Sequence, residues 1–540
     1  MNYTIYSKFN FFFFLLINCF ITNICDAQTV GVRSLTLNDQ LRVLQLSGKL
    51  PDNFSLSILP LNTNSKISTD SIYSAIDNSW EINNITKAKI GNIVKIQVLP
   101  VSITTKFNSH HPYGWNDAGM IMAKGLQTMT SAGIYAELGP LSVQLQPEHY
   151  YAANPKYPIT NDYGSSSNLV LNKLYLGQSA VRLNFGALSL GVSSENLWWG
   201  PGQFSSLLMS NNAPGFQHVT FNSRRPVKTV IGSFEWQLVL GKLNEDTAGA
   251  FENRFLQRLD MSNNWRYFNG LIVTYQPSWL RNFFLGVIRT EQLYNTDLKR
   301  KSGFFNKYLP VFSGSSSTDN GNTNTAQSDG AFSFFTRWII PKHNAEFYVE
   351  YGYNDFKQNF RDFATNANHS SAYIIGFNKL ILDKSSSSIK DKNKLKGIFI
   401  SGELTQMAQT TSYVVRSAGN WYTHVPILQG YTNQNQIMGA GSGVGNNVQT
   451  IQVKRINGFT SYGVKLQRIQ QDPKGINGPM ASIGMRDFQW NDMAIGFLGQ
   501  KKWKKLMVTG ELQFVNSKNY AWKKGNAFNF FTQVNASYFF

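Results

Sequence analysis

The sequence predicts an all-β fold, a transmembrane antiparallel outer-membrane β-barrel of about 18 strands with a small N-terminal α-containing periplasmic subdomain. Three observations predict it. The chain begins with an export leader, yet no later apolar run is long enough for a membrane helix. Its final segment alternates apolar and polar residues at every second position. Short connections alternate with long ones along most of its length.

The leader sets the compartment. Lys8 precedes an apolar stretch from Phe9 to Ile21, shorter than a spanning helix. Cys25 and Ala27 put small residues where a signal peptidase reads them, so cleavage is expected after Ala27, leaving Gln28 as the new terminus. Cys19 and Cys25 are the only cysteines, and neither follows the small residues that a lipoprotein signal requires. The mature chain therefore holds no thiol for a disulfide or a metal. An exported chain without apolar helices is periplasmic, secreted or a barrel, and lipid tolerates only the closed barrel. Composition agrees: charged residues are 15% and aromatics 14%, with a mean hydropathy of −0.25. Soluble proteins usually carry about 25% charge.

The last strand shows the pattern most clearly. Phe528, Phe530, Thr532, Val534, Ala536, Tyr538 and Phe540 share one face. Asn529, Gln533, Asn535 and Ser537 share the other, with Phe531 and Phe539 as apolar exceptions. Lipid outside and water inside demand this division. Tyr538 and the terminal Phe540 resemble the membrane-insertion signal read by the barrel assembly machinery. If this strand runs toward the periplasm, strand directions alternate backwards. Gln500–Lys504, Lys454–Gly458, Pro341–His343, Pro277–Asn282, Arg225–Lys228, Gly186–Ala187 and Gly139–Pro140 become inner turns. Asn519–Lys524, Gln470–Arg486, Thr410–Asn447, Asp355–Ser370, Glu291–Asp329, Glu245–Arg266, Glu195–Gly215 and His149–Asn172 become outer loops. Asp383–Lys396 breaks the rule as an elongated inner turn. In the clearest hairpin, Ile134, Ala136, Leu138, Leu141, Val143 and Leu145 face one way, while Glu137, Ser142 and Gln144 face the other.

The first barrel strand begins near Val94, so the expected organisation is a leader at 1–27, a periplasmic subdomain at 28–93 and a barrel at 94–540. Within the subdomain, Leu37–Leu50 reads as a helix with Asn38 or Asp39 as cap, Phe54–Leu61 as a brief strand and Ser71–Trp80 as a second helix.

Two blocks stand out beyond this pattern. The first runs from Phe107 through His110-His111-Pro112-Tyr113-Gly114-Trp115-Asn116-Asp117 to Ala123–Thr128. The second runs from Glu195-Asn196-Leu197-Trp198-Trp199-Gly200-Pro201-Gly202 to Ser205–Phe216, followed by Arg224-Arg225-Pro226 and Gly232–Trp236. Together they resemble the Wzi-type capsule assembly family, in the version found in Bacteroidetes-like bacteria. The resemblance implies an outer-membrane barrel with a small helical periplasmic part. It also implies a lectin-like role without catalysis, binding and anchoring capsular polysaccharide or exopolysaccharide at the cell surface.

Sugar recognition needs flat aromatic faces and convergent polar groups. Glu195, Asn196, Trp198, Trp199, Asn211 and Asn212 offer both in an expected outer loop, and Arg224 and Arg225 add cations. These eight are the candidate polysaccharide contacts. The competing reading is that the tryptophans fill the lumen, Gly200-Pro201-Gly202 turns the chain, and the arginines balance carboxylates. The formal charge of +19 favours anionic partners. In this compartment those are lipopolysaccharide and acidic glycan, alongside outer-membrane lipid, and not nucleic acid. Lys299-Arg300-Lys301 and Lys523-Lys524 place cations in outer loops. None of His110, His111, His149, His218, His343, His369 and His424 has metal-ligand spacing. Gly439–Gly445 lacks the following helix of a phosphate cradle. No cofactor, metal or catalytic residue is therefore expected. A diffusion channel for sugars or oligosaccharides and a barrel-lumen hydrolase remain the alternatives. A binder keeps its lumen blocked; a channel conducts.

Overall fold

A computed structural model describes residues 29–30, 35–51, 53–62, 69–77, 87–90, 94–158, 169–245, 265–312, 328–354, 369–383, 394–408, 420–424, 427–472 and 488–540. The expected leader lies outside the described residues, as do the centres of several expected loops and most of Asp383–Lys396.

Eighteen strands form one antiparallel barrel. They are β1 (Val94–Asn108), β2 (Gly125–Leu138), β3 (Leu141–Leu145 and Glu148–Ala152), β4 (Leu171–Tyr175 and Ala180–Phe185), β5 (Leu188–Ser193) and β6 (His218–Ser223). Next come β7 (Gly232–Leu243), β8 (Arg266–Pro277), β9 (Phe283–Tyr294), β10 (Asp329–Ile340), β11 (Ala345–Tyr353) and β12 (Ser371–Leu382). The last six are β13 (Lys396–Gln406), β14 (Asn447–Asn457), β15 (Thr460–Gln470), β16 (Asn491–Trp503), β17 (Leu506–Lys518) and β18 (Asn526–Tyr538). β18 pairs with β1, with Phe531 opposite Asn108 and Tyr538 opposite Val101. That closure leaves no open edge, the condition lipid imposes on a sheet.

The pleat sorts side chains as expected. Phe528, Val534 and Tyr538 of β18 are exposed on the exterior, while Asn529 and Gln533 are buried in the lumen. The two apolar exceptions have partners inside. Phe531 packs edge-on against Tyr113, with ring centroids 5.6 Å apart, and Phe539 packs against Tyr73 at 5.7 Å. In the β2–β3 hairpin, Ile134, Leu138, Val143 and Leu145 are exposed, and Glu137, Ser142 and Gln144 are buried. Trp338, Phe347, Tyr462, Trp503 and Tyr538 expose an aromatic girdle near the end of the barrel with short turns. Short turns mark the periplasmic end. Two of these turns are tighter than expected. β14 continues to Asn457 and β16 to Trp503, because the pairs Asn457–Thr460 and Trp503–Leu506 keep the ladders in register up to two-residue turns.

The N-terminal segment is where the structure departs from the sequence reading, which put it outside the barrel. Helix α1 (Leu35–Leu46), residues 53–62 and helix α2 (Thr69–Ile76) plug the periplasmic end of the lumen. Leu41, Leu44 and Leu59 pack against Phe284, Ile339, Leu380, Phe399 and Met507, inward-facing residues of five strands. Arg42 pairs with Glu346 at 2.6 Å, and Arg337 donates to the same carboxylate and to Ser55 O (2.6 Å). Ser55 N donates to Glu235 at 2.8 Å, and Asp39 pairs with Lys454. Apolar anchors and buried ion pairs thus fix the plug to the wall on several sides.

Candidate functional site

Three chain segments turn inward above the plug. The first follows β1. Asn108, at the top of that strand, donates to Tyr113 O (3.0 Å) and Ala123 O (3.0 Å), and accepts from Asn529 of β18 at 2.9 Å. Lys106 donates to Asp117 (2.7 Å) and Gly114 O (3.2 Å), and Gln533 donates to Asp117 at 2.8 Å. Inward-facing polar residues of β1 and β18 therefore hold residues 109–124 as a strap across the lumen. Gly114 has φ +85°, and a Cβ there would lie 2.6 Å from the Phe531 ring, so only glycine fits this crossing. On the far side the Tyr113 hydroxyl donates to Gln467 at 2.6 Å.

The second inward segment is 194–217, home of most of the expected glycan contacts. The structure places them as follows. Glu195 pairs with Arg182 and accepts from Ser193 at 2.8 Å. Asn196 donates to Ala213 O at 2.7 Å and accepts from Gln178 at 2.9 Å. Trp199 is fully buried and donates its indole N–H to Gln237 at 2.8 Å. Trp198 and Trp199 form a short ladder with Leu59 and Ile58 of the plug. Arg42 donates to Pro201 O and Gly202 O, so Gly200-Pro201-Gly202 turns directly onto α1. Asn211 Nδ2 donates to Asn116 O (3.0 Å) and Asn212 Nδ2 to Ile437 O (2.9 Å). These six side chains are buried, and five of them are hydrogen-bonded within the protein while Trp198 packs on the plug. Arg224 is buried at an inner turn, bonded to Gly186 O at 3.3 Å, while Arg225 beside it is exposed.

The third inward segment is the described part of 407–446. Tyr422 donates to Leu207 O at 2.8 Å, and Ser210 N donates to Met438 O at 2.7 Å. Gln434 and Asn435 both have positive φ, closing a two-residue hairpin between Thr432–Asn433 and Gln436–Ile437. Strap, second segment and third segment thus meet at Asn211 and Asn212, and together they close the lumen around two remaining spaces. The sequence blocks 107–128 and 195–216 supply the first two.

A cleft remains at the extracellular end, between the strap, the 434–437 hairpin and the loops joining β15–β16 and β17–β18. It encloses about 1240 Å³, part of it open to solvent. Its walls carry Trp115, Trp490, Tyr520 and Trp522, the amides of Gln434, Asn435 and Gln436, and the carboxylates of Asp472 and Asp492. The aromatics brace one another: Trp490 meets Tyr520 at 5.0 Å and Trp522 at 4.8 Å, both edge-on, and Tyr520 meets His111 at 4.5 Å. Asp492 accepts from the Trp490 indole at 2.6 Å and from Gln471 at 2.8 Å. No lysine or arginine lines the cleft among the described residues. His111 adds no charge, because burial and the neighbouring His110 push its imidazole down to about 3. The two imidazole Nδ1 atoms lie 3.0 Å apart and share one proton.

Below the strap lies a second cavity of about 1210 Å³, lined by Gln452, Gln467, Gln500, Gln513 and Gln533 and by the ion pairs Lys454–Asp39 and Lys465–Glu511. Tyr113, Gly114 and Trp115 line both spaces and divide them. Of the expected contacts, only Asn212 reaches the upper cleft and only Asn211, with Trp198, the lower cavity. Trp115 was part of the first block, but Trp490, Tyr520 and Trp522 were missed. Trp522 lies inside the expected loop Asn519–Lys524, and an aromatic in an outer loop was the signal available.

A search among curated proteins returns no match. Among solved structures, the chain is similar to Wzi of Escherichia coli, an outer-membrane protein involved in group 1 capsule assembly and described as a carbohydrate-binding β-barrel. The TM-score is 0.60 at 12% identity, covering 95% of this chain and 100% of that one. OprB of Pseudomonas putida aligns over 82% of this chain and 94% of its own, with a TM-score of 0.37 at 11% identity. OprD of Pseudomonas aeruginosa aligns over 81% and 94%, with a TM-score of 0.39 at 7% identity. The model of the family described as capsule assembly protein Wzi matches residues 101–529, and the chain belongs to that family.

Proposed function

We propose that this barrel is a non-catalytic holder of capsular polysaccharide or exopolysaccharide at the cell surface, and that the upper aromatic cleft is where it grips the glycan. The observation that carries this is the pairing of an aromatic, amide-lined cleft with a strap that floors it and a plug that shuts the lumen further down. Stacking faces and hydrogen-bonding groups meet where an exported chain would arrive, and three inward segments plus the plug leave it nowhere further to go. Six of the eight candidate residues then serve to build the closure, with Asn212 joining the cleft wall, while Arg224 and Arg225 lie at an inner turn. The carboxylates of Asp472 and Asp492 in the cleft suit a sugar unit that offers hydroxyl or amino donors. Tyr538 and Phe540, exposed at the periplasmic end, are the pair we assign to recognition by the barrel assembly machinery.

The test is binding of purified surface glycan to wild-type protein and to Trp490→Ala and Trp115→Ala variants. Losing one stacking face in a closed cleft is expected to weaken binding about tenfold, the scale of an interface hot spot. Deleting the protein is expected to release capsule into the medium without stopping its synthesis. Undiminished binding by both variants would place the grip elsewhere. Unchanged cell-attached glycan in the deletion strain would remove the holder reading, and steady ion conductance blocked by sugars would replace it with a channel.

A further inference from the structure

Across the barrel from the cleft, one extracellular loop lies on the outside of the wall. In β7–β9 the residues Val239, Phe268 and Ile288 point into the lumen and are fully buried. The register then puts Leu240, Asn269 and Glu291 side by side on the exterior, with Lys242, Tyr267 and Leu293 in the row above. An amide and a carboxylate on the lipid face of a barrel are costly. Yet Asn269 and Glu291 are buried, because residues 295–312 fold down over them. Lys301 pairs with Glu291 at 3.0 Å, Val311 N donates to Asn269 at 3.1 Å, and Tyr267 donates to Tyr308 O at 2.7 Å. Leu298, in the helix Asn295–Arg300, packs on Tyr267 and Leu293. Just below, Leu285 and Val287 are exposed in the apolar belt. The flap therefore sits at the upper edge of that belt.

The flap's own outer face is amphiphilic. Phe304 and Phe305 are each 65% exposed and Phe312 58%. Around them stand Lys299, Arg300, Lys301 and Lys307, against the single carboxylate of Asp297. Aromatic rings beside cations, at the level where acyl chains give way to headgroups, match the composition of an interfacial anchor. A water-facing loop gains nothing from three exposed phenylalanines. A glycan-binding loop would turn its rings toward the barrel mouth rather than along the outer wall.

We propose that residues 295–312 form a binding site for a phosphorylated lipid of the outer leaflet, of the lipid A class. Phe304, Phe305 and Phe312 enter the acyl region, while Lys299, Arg300 and Lys307 meet the phosphates. Lys301 is already committed to Glu291 and fastens the flap to the wall.

The test uses the full-length protein in detergent micelles, titrated with bisphosphorylated lipid A, with its phosphate-free analogue and with an acidic oligosaccharide (oligogalacturonate). Binding is read by native mass spectrometry and by the thermal unfolding midpoint. Lipid A is expected to bind and raise the midpoint, and the phosphate-free analogue to bind at least tenfold more weakly. A Lys299→Glu/Arg300→Glu/Lys307→Glu variant is expected to lose lipid A at least tenfold, and a Phe304→Ser/Phe305→Ser variant to lose both lipids. Lys299, Arg300, Phe304 and Phe305 are exposed while Lys307 is half-buried, and Arg300 also pairs with Asp297 at 3.2 Å, so each variant's unliganded midpoint is measured first and lipid binding is compared by native mass spectrometry on the folded protein. Equal lipid A binding by the charge-reversed variant would overturn the proposal. So would oligogalacturonate binding that depends on the same three cations while lipid A does not. Glycan capture at the Trp490 cleft should be unchanged in both variants.

Discussion

Glu346 shows how much of this molecule depends on single buried charges. It lies between Arg42 of the plug and Arg337 of β10, and accepts from Asn378 at 2.6 Å as well. All three charged side chains are shut away from water. Such a group is a weak source of net stability, but breaking it is expensive because the surviving charges stay buried. Glu346→Gln would leave two guanidiniums facing each other across a neutral amide, at a cost of about 3–5 kcal/mol. The plug should loosen before the barrel does. Limited proteolysis is expected to cut residues 35–62 in the variant while the barrel stays intact, and equal resistance of both proteins would show the triad to be dispensable. The sequence made the wall residues around this group legible, since strand alternation assigns Arg337 and Glu346 to the lumen. It could not pair them with Arg42, because nothing local to α1 says which wall it meets. Phe531 and Phe539 make the same point. As apolar breaks in a polar register they were visible, but their partners, Tyr113 and Tyr73, come from segments more than four hundred residues away in sequence.

At the level of elements, the strands were the readable part and the inward loops were not. A strand needs only its own period and a turn signal, and Gly139-Pro140 or Gly186-Ala187 supplies the turn. The strap 109–124 has no period. Its path is set by Lys106, Asn108 and Gln533 on flanking strands, so its sequence alone marks a distinctive block but not where it runs. The cleft was less legible still, being assembled from the strap and three further loops. The strap also carries a titration. Burial holds His111 neutral in the folded protein down to about 3, whereas an ordinary histidine takes its proton near 6.5. The unfolded chain then binds the proton more readily. The site's stability is complete above about pH 6.5 and falls by about 1.4 kcal/mol per pH unit between there and pH 3. His110, also lowered by burial, adds in the same direction. Acid is therefore expected to expose the strap to protease between pH 6.5 and pH 4. His111→Gln should flatten that dependence by keeping a neutral hydrogen-bonding group beside Ser517, which lies 3.2 Å from the imidazole. A variant as acid-sensitive as wild type would assign the effect to other groups.

For the molecule as a whole, the arrangement is a barrel shut at successive depths. The cleft lies above the strap, a polar cavity lies below it, and the α1 plug closes the periplasmic end, with segment 194–217 and the described part of 407–446 packed in the middle of the lumen. The strap hangs mainly from β1 and β18, with Tyr113 reaching β15 and β17, whereas the plug rests mainly on β9–β13 and β17. They should therefore fail independently. Shortening the strap by removing 110–116 joins the cleft to the lower cavity but leaves Arg42, Leu41 and Leu44 in place beneath. Removing 35–62 opens the lower cavity to the periplasm but leaves Tyr113 and Trp115 across its roof. In planar bilayers each single deletion is expected to conduct no better than wild type, while the double deletion opens a steady path along the β14–β18 wall, lined by glutamines and lysines. The barrel itself should survive all three changes, since its ladder closes through β18 and β1 without help from either deleted segment. Conductance from the strap deletion alone would mean that the plug is porous and that a single thin crossing keeps the lumen shut. Silence from the double deletion would instead give the seal to the other two segments, which meet through Leu207, Tyr422 and Met438 in the middle of the lumen.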